Sequence, residues 1–297
     1  MAGQLTRQAI AAQPEWLRQV PERVADLRLP DGARVLFTGC GTSFHAALAC
    51  GNAAQALEIV LGNAPEADVL VAISHEGGTP LTHEAVRGFD GETWLITGAA
   101  ESAIAKSVDR VVVVTPGIEE SYCHTASYTC AVAAGRALQG EDVTGLPGDV
   151  FRELDREAFG LSEHDRLVVA GAGDDMPTVL EAVLKLREGA HVAAESHHTE
   201  QLLHGHLAAV DPTVRCFVLE GEGRAAERAV DAMRALGELG CDALLVPTTH
   251  PVVDIVRFQL LACDLAEARG IDPDLIRWDE EPWDRARRAQ DWTASDP

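Results

Sequence analysis

The chain has 297 residues and a formal net charge of −23 at pH 7, and only two of its residues, Lys106 and Lys185, are lysines. An acidic chain without a basic patch repels nucleic acid, so we expect no nucleic-acid partner. Hydrophobic residues make up 46% of the sequence without forming an apolar run near 18 residues, which excludes a disordered chain and a membrane span. The seven scattered cysteines contain no CxxC pair, and the N-terminus lacks a signal-peptide pattern. These features predict a cytoplasmic protein with free thiols.

The first half of the chain alternates between strand and helix patterns after an amphipathic helical leader at residues 1–28. Continuous apolar runs followed by helices indicate a parallel sheet that is covered on both faces. We predict strands at Arg34–Phe37, Asp68–Ile73, Thr93–Thr97 and Asp109–Thr115, and helices at Phe44–Leu57, Leu81–Gly88 and His124–Leu138.

The second half repeats this alternation after a polar linker at Gln139–Gly148. We predict strands at Leu167–Ala170, Arg215–Leu219 and Ala243–Val246, and helices at Met176–Glu188, Arg224–Leu239 and Val252–Arg269. The sequence therefore predicts an α/β protein with two tandem flavodoxin-like domains, each a parallel sheet flanked by helices. Their expected bounds are 29–145 and 146–297, the second including a C-terminal tail.

Two loops of the first domain have the composition of a binding site. Gly39–Ser43 joins a strand to a helix N-terminus, where backbone N–H groups and the helix dipole favour an anion. Ser74–Thr79 follows the next strand, and parallel strands end at the same edge of a sheet. A glycine-rich turn that only closes the corner is the alternative. The candidate binding residues are Gly41, Thr42, Ser43, Ser74, His75, Glu76 and Thr79.

The second domain carries three charged residues at helical spacing. Glu181, Lys185 and Glu188 fall on neighbouring turns of one helix face, and His204-Gly205 follows Glu188 by sixteen residues. A carboxylate, a lysine and a histidine are groups suited to proton transfer on a sugar. The alternative is a set of solvated helix ion pairs, each worth about 0.2–0.5 kcal/mol.

These motifs together resemble the sugar isomerase (SIS) family, as in the isomerase domain of glucosamine-6-phosphate synthases. The resemblance covers nearly the whole chain as two tandem SIS domains. Gly39–Ser43 is similar to the GxGTS phosphate loop, Thr125–Thr129 to the TKSYT helix, and Leu180–Gly205 to a LEGxLKLKE run that ends in HG.

The resemblance implies roles for individual residues. Glu188 would be the base that moves a proton between C1 and C2 of a sugar, with Lys185 as an auxiliary group. His204 would open the sugar ring, reaching into the site of the neighbouring subunit of a homodimer. A sugar or sugar phosphate would lie against the hydroxyls of the two first-domain loops. The family needs no metal or other cofactor, and the five histidines between residues 191 and 206 are not expected to form a metal site.

Several positions depart from the family pattern. Glu76 stands where a phosphate-binding serine is expected, Ala126 replaces a lysine, and the tail has Arg277 or Trp278 where synthases have a catalytic lysine. Two like charges about 4 Å apart repel by roughly 4 kcal/mol at an effective dielectric near 20. Glu76 could therefore point to solvent, be neutralised by His75 or an arginine, or mark a ligand without phosphate. Only 30 residues separate Ser43 from Ser74, which suggests that a family strand has been trimmed here.

The leading function is an aldose–ketose isomerase, or an isomerase with deaminase activity, acting on a sugar phosphate or amino-sugar phosphate. The alternatives are a non-catalytic sugar-sensing module and a lyase or deglycase acting on a modified amino sugar.

Overall fold

The computed structural model describes residues 2–161 and 164–289. The chain folds into two compact units. The first comprises Gly3–Pro147 together with the segment that begins at Asp272, and the second comprises Gly148–Ile271.

A five-stranded parallel sheet forms the core of the first unit, in the order β2-β1-β3-β4-β5. This is the flavodoxin-like strand order, in which the carboxyl ends of the central strands form the binding edge. The central strand β3 is buried along its whole length because all five of its residues are apolar. In chain order the elements are α1 (Gln4–Arg23), β1 (Val35–Gly39), α2 (Thr42–Cys50), β2 (Ala53–Gln55), α3 (Ala56–Val60), β3 (Val69–Ile73), α4 (Pro80–Arg87), β4 (Glu92–Thr97), β5 (Arg110–Val113) and α5 (Ala126–Leu138).

The short strand β2 corrects our expectation of one helix over Phe44–Leu57 and of a trimmed strand. Helix α2 ends at Cys50 because Gly51 adopts a φ of 145°, a conformation that favours glycine. The next residues then pair with β1, with Phe37 opposite Ala53. The excursion between Ser43 and Ser74 is short, yet it retains a strand of its own.

The second unit has a four-stranded parallel sheet in the equivalent order, β7-β6-β8-β9. Its elements are α6 (Leu146–Leu154), β6 (Arg166–Gly171), α7 (Met176–Ala190), β7 (Ala193–His198), α8 (Thr199–Leu203), β8 (Val214–Leu219), α9 (Arg224–Glu238), β9 (Asp242–Val246), α10 (Pro251–Asp254) and α11 (Val256–Arg269). The predicted α/β class with parallel sheets is thus confirmed. Strand β7 was not predicted, because its sequence AAESHH carries no apolar run.

The leader helix α1 and the described part of the segment that begins at Asp272 both group with the first unit, although the sequence placed them outside the first domain. The Asp274 carboxylate lies at the start of α1, where it accepts hydrogen bonds from the backbone N–H of Leu5 (3.0 Å) and Thr6 (2.7 Å). Its own carbonyl accepts from the N–H of Tyr122 (3.0 Å). A carboxylate at a helix N-terminus satisfies N–H groups that have no helical partner.

The described part of the tail ends in helix α12 (Glu281–Arg288). The ring of Trp278 stacks on Tyr122, with 5.2 Å between ring centroids. Another tail tryptophan, Trp292, lies outside the described residues. No helix in the described ranges is long and apolar enough to span a membrane.

Candidate functional site

A narrow cleft, with a volume of about 20 Å³, opens at the carboxyl ends of the strands of the first unit. Thr42 and Ser43 reach it from the start of α2, and His75 reaches it from the loop after β3. The turn into α2 depends on its glycines. A side chain at residue 39 would lie 2.7 Å from the Ser43 backbone, and Gly41 has a φ of 57°. Both loops that were predicted to bind a ligand therefore contribute residues to this cleft at the edge of the sheet. The remaining lining is formed by Ala46, Ile73, Ile96, Thr97, Val114, His124, Ser127, Tyr128 and Ala131.

The loop from Ser74 to Thr79 places its hydroxyls inward and its carboxylate outward. Ser74 is buried, and its Oγ lies 3.4 Å from Oγ1 of Thr79. Glu76 is exposed. Of the three ways to accommodate Glu76, the structure shows the solvent-facing one.

His75 fixes the position of this loop. Its Nε2 accepts a hydrogen bond from the N–H of Glu119 (2.8 Å), and its carbonyl accepts from Thr97 Oγ1 (2.9 Å) and the N–H of Gly98 (2.8 Å). The neutral ring therefore carries its proton on Nδ1. Burial, and then the neighbouring His124, lower the pKa of His75 to about 4. His75 is neutral at pH 7 and supplies no positive charge to offset Glu76.

Glu119 is a buried carboxylate that the sequence analysis missed. Its Oε1 accepts from the N–H and the hydroxyl of Thr125 (2.7 and 2.8 Å), and its Oε2 accepts from the N–H of Ser127 (2.9 Å). It thereby occupies the N-terminus of α5, where helix dipole and free N–H groups would otherwise favour an external anion. The sequence offered one signal for this contact, which is that Glu119 is an acidic residue shortly before a predicted helix.

The second unit brings together the three charged residues of the predicted motif. The Lys185 ammonium lies 2.7 Å from Oε2 of Glu188 and 3.4 Å from Oε1 of Glu181. The side chains of Lys185 and Glu181 are only 1% and 0% exposed, whereas that of Glu188 is 27% exposed. The reading of these residues as solvated surface pairs is therefore wrong. The buried cation is held between two carboxylates, and only one carboxylate can be reached by a ligand.

His204, the fourth predicted residue, lies at the exposed end of α8. Its side chain is 70% exposed, and its Nε2 lies 2.8 Å from Oε1 of Glu200. The structure thus joins Glu181, Lys185 and Glu188 by direct contacts, while the side chain of His204 contacts Glu200 instead. The predictions had not included Glu200, although its spacing of four residues from His204 is a helical signal.

Two of the remaining histidines of this segment, His197 and His206, lie close together. The rings of His197 and His206 are 4.3 Å apart, and burial lowers the pKa of His197. Across the described residues, no group of three or more histidine, cysteine, aspartate and glutamate side chains is arranged to hold a metal ion.

A second cleft, with a volume of about 350 Å³, lies at the carboxyl ends of β6, β8 and β9. Burial raises the pKa of Asp175 to about 6 and that of Asp254 to about 7. Both carboxylates have partners within the fold. Asp254 accepts from the N–H of Thr249 (3.0 Å), and Asp175 accepts from the hydroxyl of Thr248 (3.3 Å). The sequence analysis did not identify these two acids.

Comparison with known proteins supports the family resemblance. No protein-family model matches the chain. A glutamine–fructose-6-phosphate aminotransferase (isomerizing) from Aeropyrum pernix is 29% identical, over 91% of this chain and 54% of that protein. The chain spans about half the length of the curated relatives that it matches.

Solved structures share the fold over almost the whole chain. A tagatose-6-phosphate ketose/aldose isomerase from Escherichia coli superimposes with a TM-score of 0.75 at 17% identity, covering 92% of this chain and 95% of that one. A glucosamine-6-phosphate deaminase from Thermotoga maritima gives a TM-score of 0.73 at 22% identity, covering 91% and 97%. The resemblance to sugar isomerase proteins that the motifs indicated is therefore confirmed.

Proposed function

We propose that the protein is an aldose–ketose isomerase that acts on a sugar phosphate or an amino-sugar phosphate. The observation that carries this proposal is the buried group of Glu181, Lys185 and Glu188, in which a fixed ammonium holds a carboxylate that stays accessible. A base must keep its position relative to the carbon that loses a proton. The names of the relatives and of the structural neighbours support the same class of reaction.

Glu188 would act as the base in this reaction. It would take the proton from C2 of the open-chain aldose, so that the C–H electrons form a C1–C2 double bond and the carbonyl oxygen at C1 takes up a proton. The same carboxylate would then return a proton to C1. The C2 hydroxyl gives up its proton to water as the carbonyl forms at C2, which balances the proton that the C1 oxygen took from water. Lys185 would orient the carboxylate through its 2.7 Å contact.

The sugar would be bound through hydroxyl and backbone donors of the first unit, supplied by Gly41, Thr42, Ser43, Ser74 and Thr79. The residues that line the described cleft include no lysine or arginine. A phosphate would therefore depend on neutral donors alone. Because Glu76 is exposed at the same loop, we expect phosphate affinity to rise in Glu76→Ser. His75 would act here by holding the loop.

Product formation tests the proposed activity. Wild type, Glu188→Gln and Glu227→Gln would be incubated with fructose-6-phosphate, tagatose-6-phosphate and glucosamine-6-phosphate, and the products resolved by anion-exchange chromatography. Glu227 is an exposed glutamate that pairs with Arg224 and serves as the matched control. We expect turnover in wild type and in Glu227→Gln and a loss of at least 100-fold in Glu188→Gln, the scale of acid–base catalysis. Equal turnover in all three proteins would overturn the assignment of Glu188.

One observation favours a sensing module without turnover as the second candidate. Arg277, which stands near the position of the synthase lysine, lies 3.9 Å from the centre of the Trp283 ring and 3.4 Å from a Glu280 oxygen. A guanidinium stays charged at neutral pH and cannot form a Schiff base with a sugar. Saturable sugar binding without any product would select this function.

We further propose that the protein forms a homodimer, as the resemblance implies. Light scattering coupled to size-exclusion chromatography would give twice the chain mass of 31.7 kDa for a dimer.

A further inference from the structure

We propose that Glu200, held by Arg228, is a positioning residue that fixes the orientation and the tautomer of His204 for sugar ring opening. This inference rests on the proposed isomerase function. It concerns a carboxylate that lies outside the residues to which the resemblance assigns roles.

The first observation is the local geometry at the end of α8. Glu200 and His204 are one helical turn apart, and Oε1 of Glu200 lies 2.8 Å from Nε2 of His204. The backbone fixes this relationship, since the N–H of His204 also donates to the carbonyl of Glu200 (3.0 Å). Gly205 then turns the chain away with a φ of 145°, a conformation that disfavours any residue with a side chain.

The second observation is a guanidinium that anchors Glu200 from another helix. Arg228 of α9 donates from Nε to Oε2 of Glu200 (2.9 Å) and from Nη2 to Oε1 (3.1 Å). A two-point contact of this kind fixes the plane of the carboxylate. Arg228 is itself held by Asp231 at 2.6 Å, and Asp231 also pairs with Arg234.

The negative charge of Glu200 suits its role of orienting His204. The neighbouring Arg228 lowers the pKa of Glu200, so Glu200 is a carboxylate at neutral pH and can only accept hydrogen bonds. The ring of His204 must therefore donate from Nε2. In the neutral ring this leaves Nδ1 as a bare acceptor.

Ring opening of a cyclic sugar needs such an acceptor. Nδ1 would take the proton of the anomeric hydroxyl while the bond from the anomeric carbon to the ring oxygen breaks. The electron pair of that bond stays on the ring oxygen, which then receives the proton, and the anomeric carbon becomes a carbonyl. A carboxylate that holds an imidazole in one tautomer supports proton transfer in the same way in serine proteases.

The kinetic test separates ring opening from the later proton transfer at carbon. Glu200→Gln would be compared with wild type on fructose-6-phosphate and on its 5-deoxy analogue, which cannot close a furanose ring. We expect the turnover number on the cyclic sugar to fall about tenfold or more, and that on the analogue to fall much less. The ratio of the two rates should stay at the wild-type value in Glu227→Gln, a neighbouring glutamate that also pairs with an arginine. An equal fall on both sugars would show a merely structural role and overturn the proposal.

A spectroscopic test decides the proposal even if the isomerase assignment fails. Long-range ¹H–¹⁵N spectra, assigned with His204→Asn, report which ring nitrogen carries the proton. We expect wild-type His204 to be protonated on Nε2 alone and to show a mixture of tautomers in Glu200→Ala. Identical tautomer populations in the two proteins would overturn the role of Glu200. Absence of turnover on both sugars in wild type would instead overturn the proposed function.

Discussion

The Lys185 ammonium lies 2.7 Å from the Glu188 carboxylate although the lysine side chain is only 1% exposed. This contact joins a fully buried cation to a carboxylate that a ligand can reach. The buried carboxylate of Glu181 contacts the same ammonium from the other side. The position of Glu188 therefore depends on a lysine that is itself held by a second carboxylate.

Removing the buried cation should strongly destabilise the protein. Lys185→Met leaves the Glu181 carboxylate buried without its ammonium, which we expect to cost about 3–5 kcal/mol of unfolding free energy. Lys106→Met, at the other lysine of the chain and exposed, is the matched control. Urea denaturation followed by circular dichroism measures both. Similar midpoints for the two variants would contradict the structural role of Lys185.

The internal carboxylate at the start of α5 gives a second prediction. Glu119→Gln replaces one acceptor oxygen with an amide donor facing backbone N–H groups, so we expect a loss of about 2–3 kcal/mol in unfolding free energy. The neighbouring Glu120 is exposed, and Glu120→Gln should change stability by less than about 0.5 kcal/mol. Thermal and urea unfolding of the two variants provide the comparison, and an equal effect would show that Glu119 does not stabilise α5.

Burial of His75 should make the protein sensitive to acid. Its pKa falls from 6.5 to about 4 on folding, so the unfolded state binds more protons between these two values. The contribution of His75 to the unfolding free energy is therefore fully present above pH 6.5. It decreases as the pH falls toward 4, by up to about 3 kcal/mol. His75→Gln, which does not titrate, should show a weaker decrease over this window. Unfolding free energies at pH 7.0 and pH 4.5 measure it, and an unchanged difference between the two pH values would argue against this cause.

Asp254 should contribute a pH dependence of the opposite sign. Burial raises its pKa from 3.8 to about 7, so the folded state holds a proton that the unfolded state releases. Its contribution to stability is present below pH 4 and is lost as the pH rises toward 7. In Asp254→Asn the unfolding free energy should fall less between pH 5 and pH 8 than in wild type. A steeper fall in the variant would contradict this assignment.

The continuous apolar strands were predictable from sequence, and two of the edge strands, β2 and β7, were not. Five consecutive apolar residues in β3 favour a buried strand, whereas the polar β7 and the three-residue β2 acquire their structure by pairing with β6 and β1. The carboxylate of Glu119 finds backbone N–H partners that only the folded loop supplies. Spacing alone placed Lys185 and Glu188 on one helix face, but it could not distinguish a buried pair from a solvated one.

Proton exchange at carbon tests the proposed role of Glu188 most directly. Wild type and Glu188→Gln would be incubated with fructose-6-phosphate in D₂O and followed by proton NMR, with Lys106→Met as an active control. The account predicts that deuterium enters at the carbon next to the carbonyl in wild type and in the control, and that Glu188→Gln abolishes this exchange. Exchange at the wild-type rate in Glu188→Gln would contradict the account.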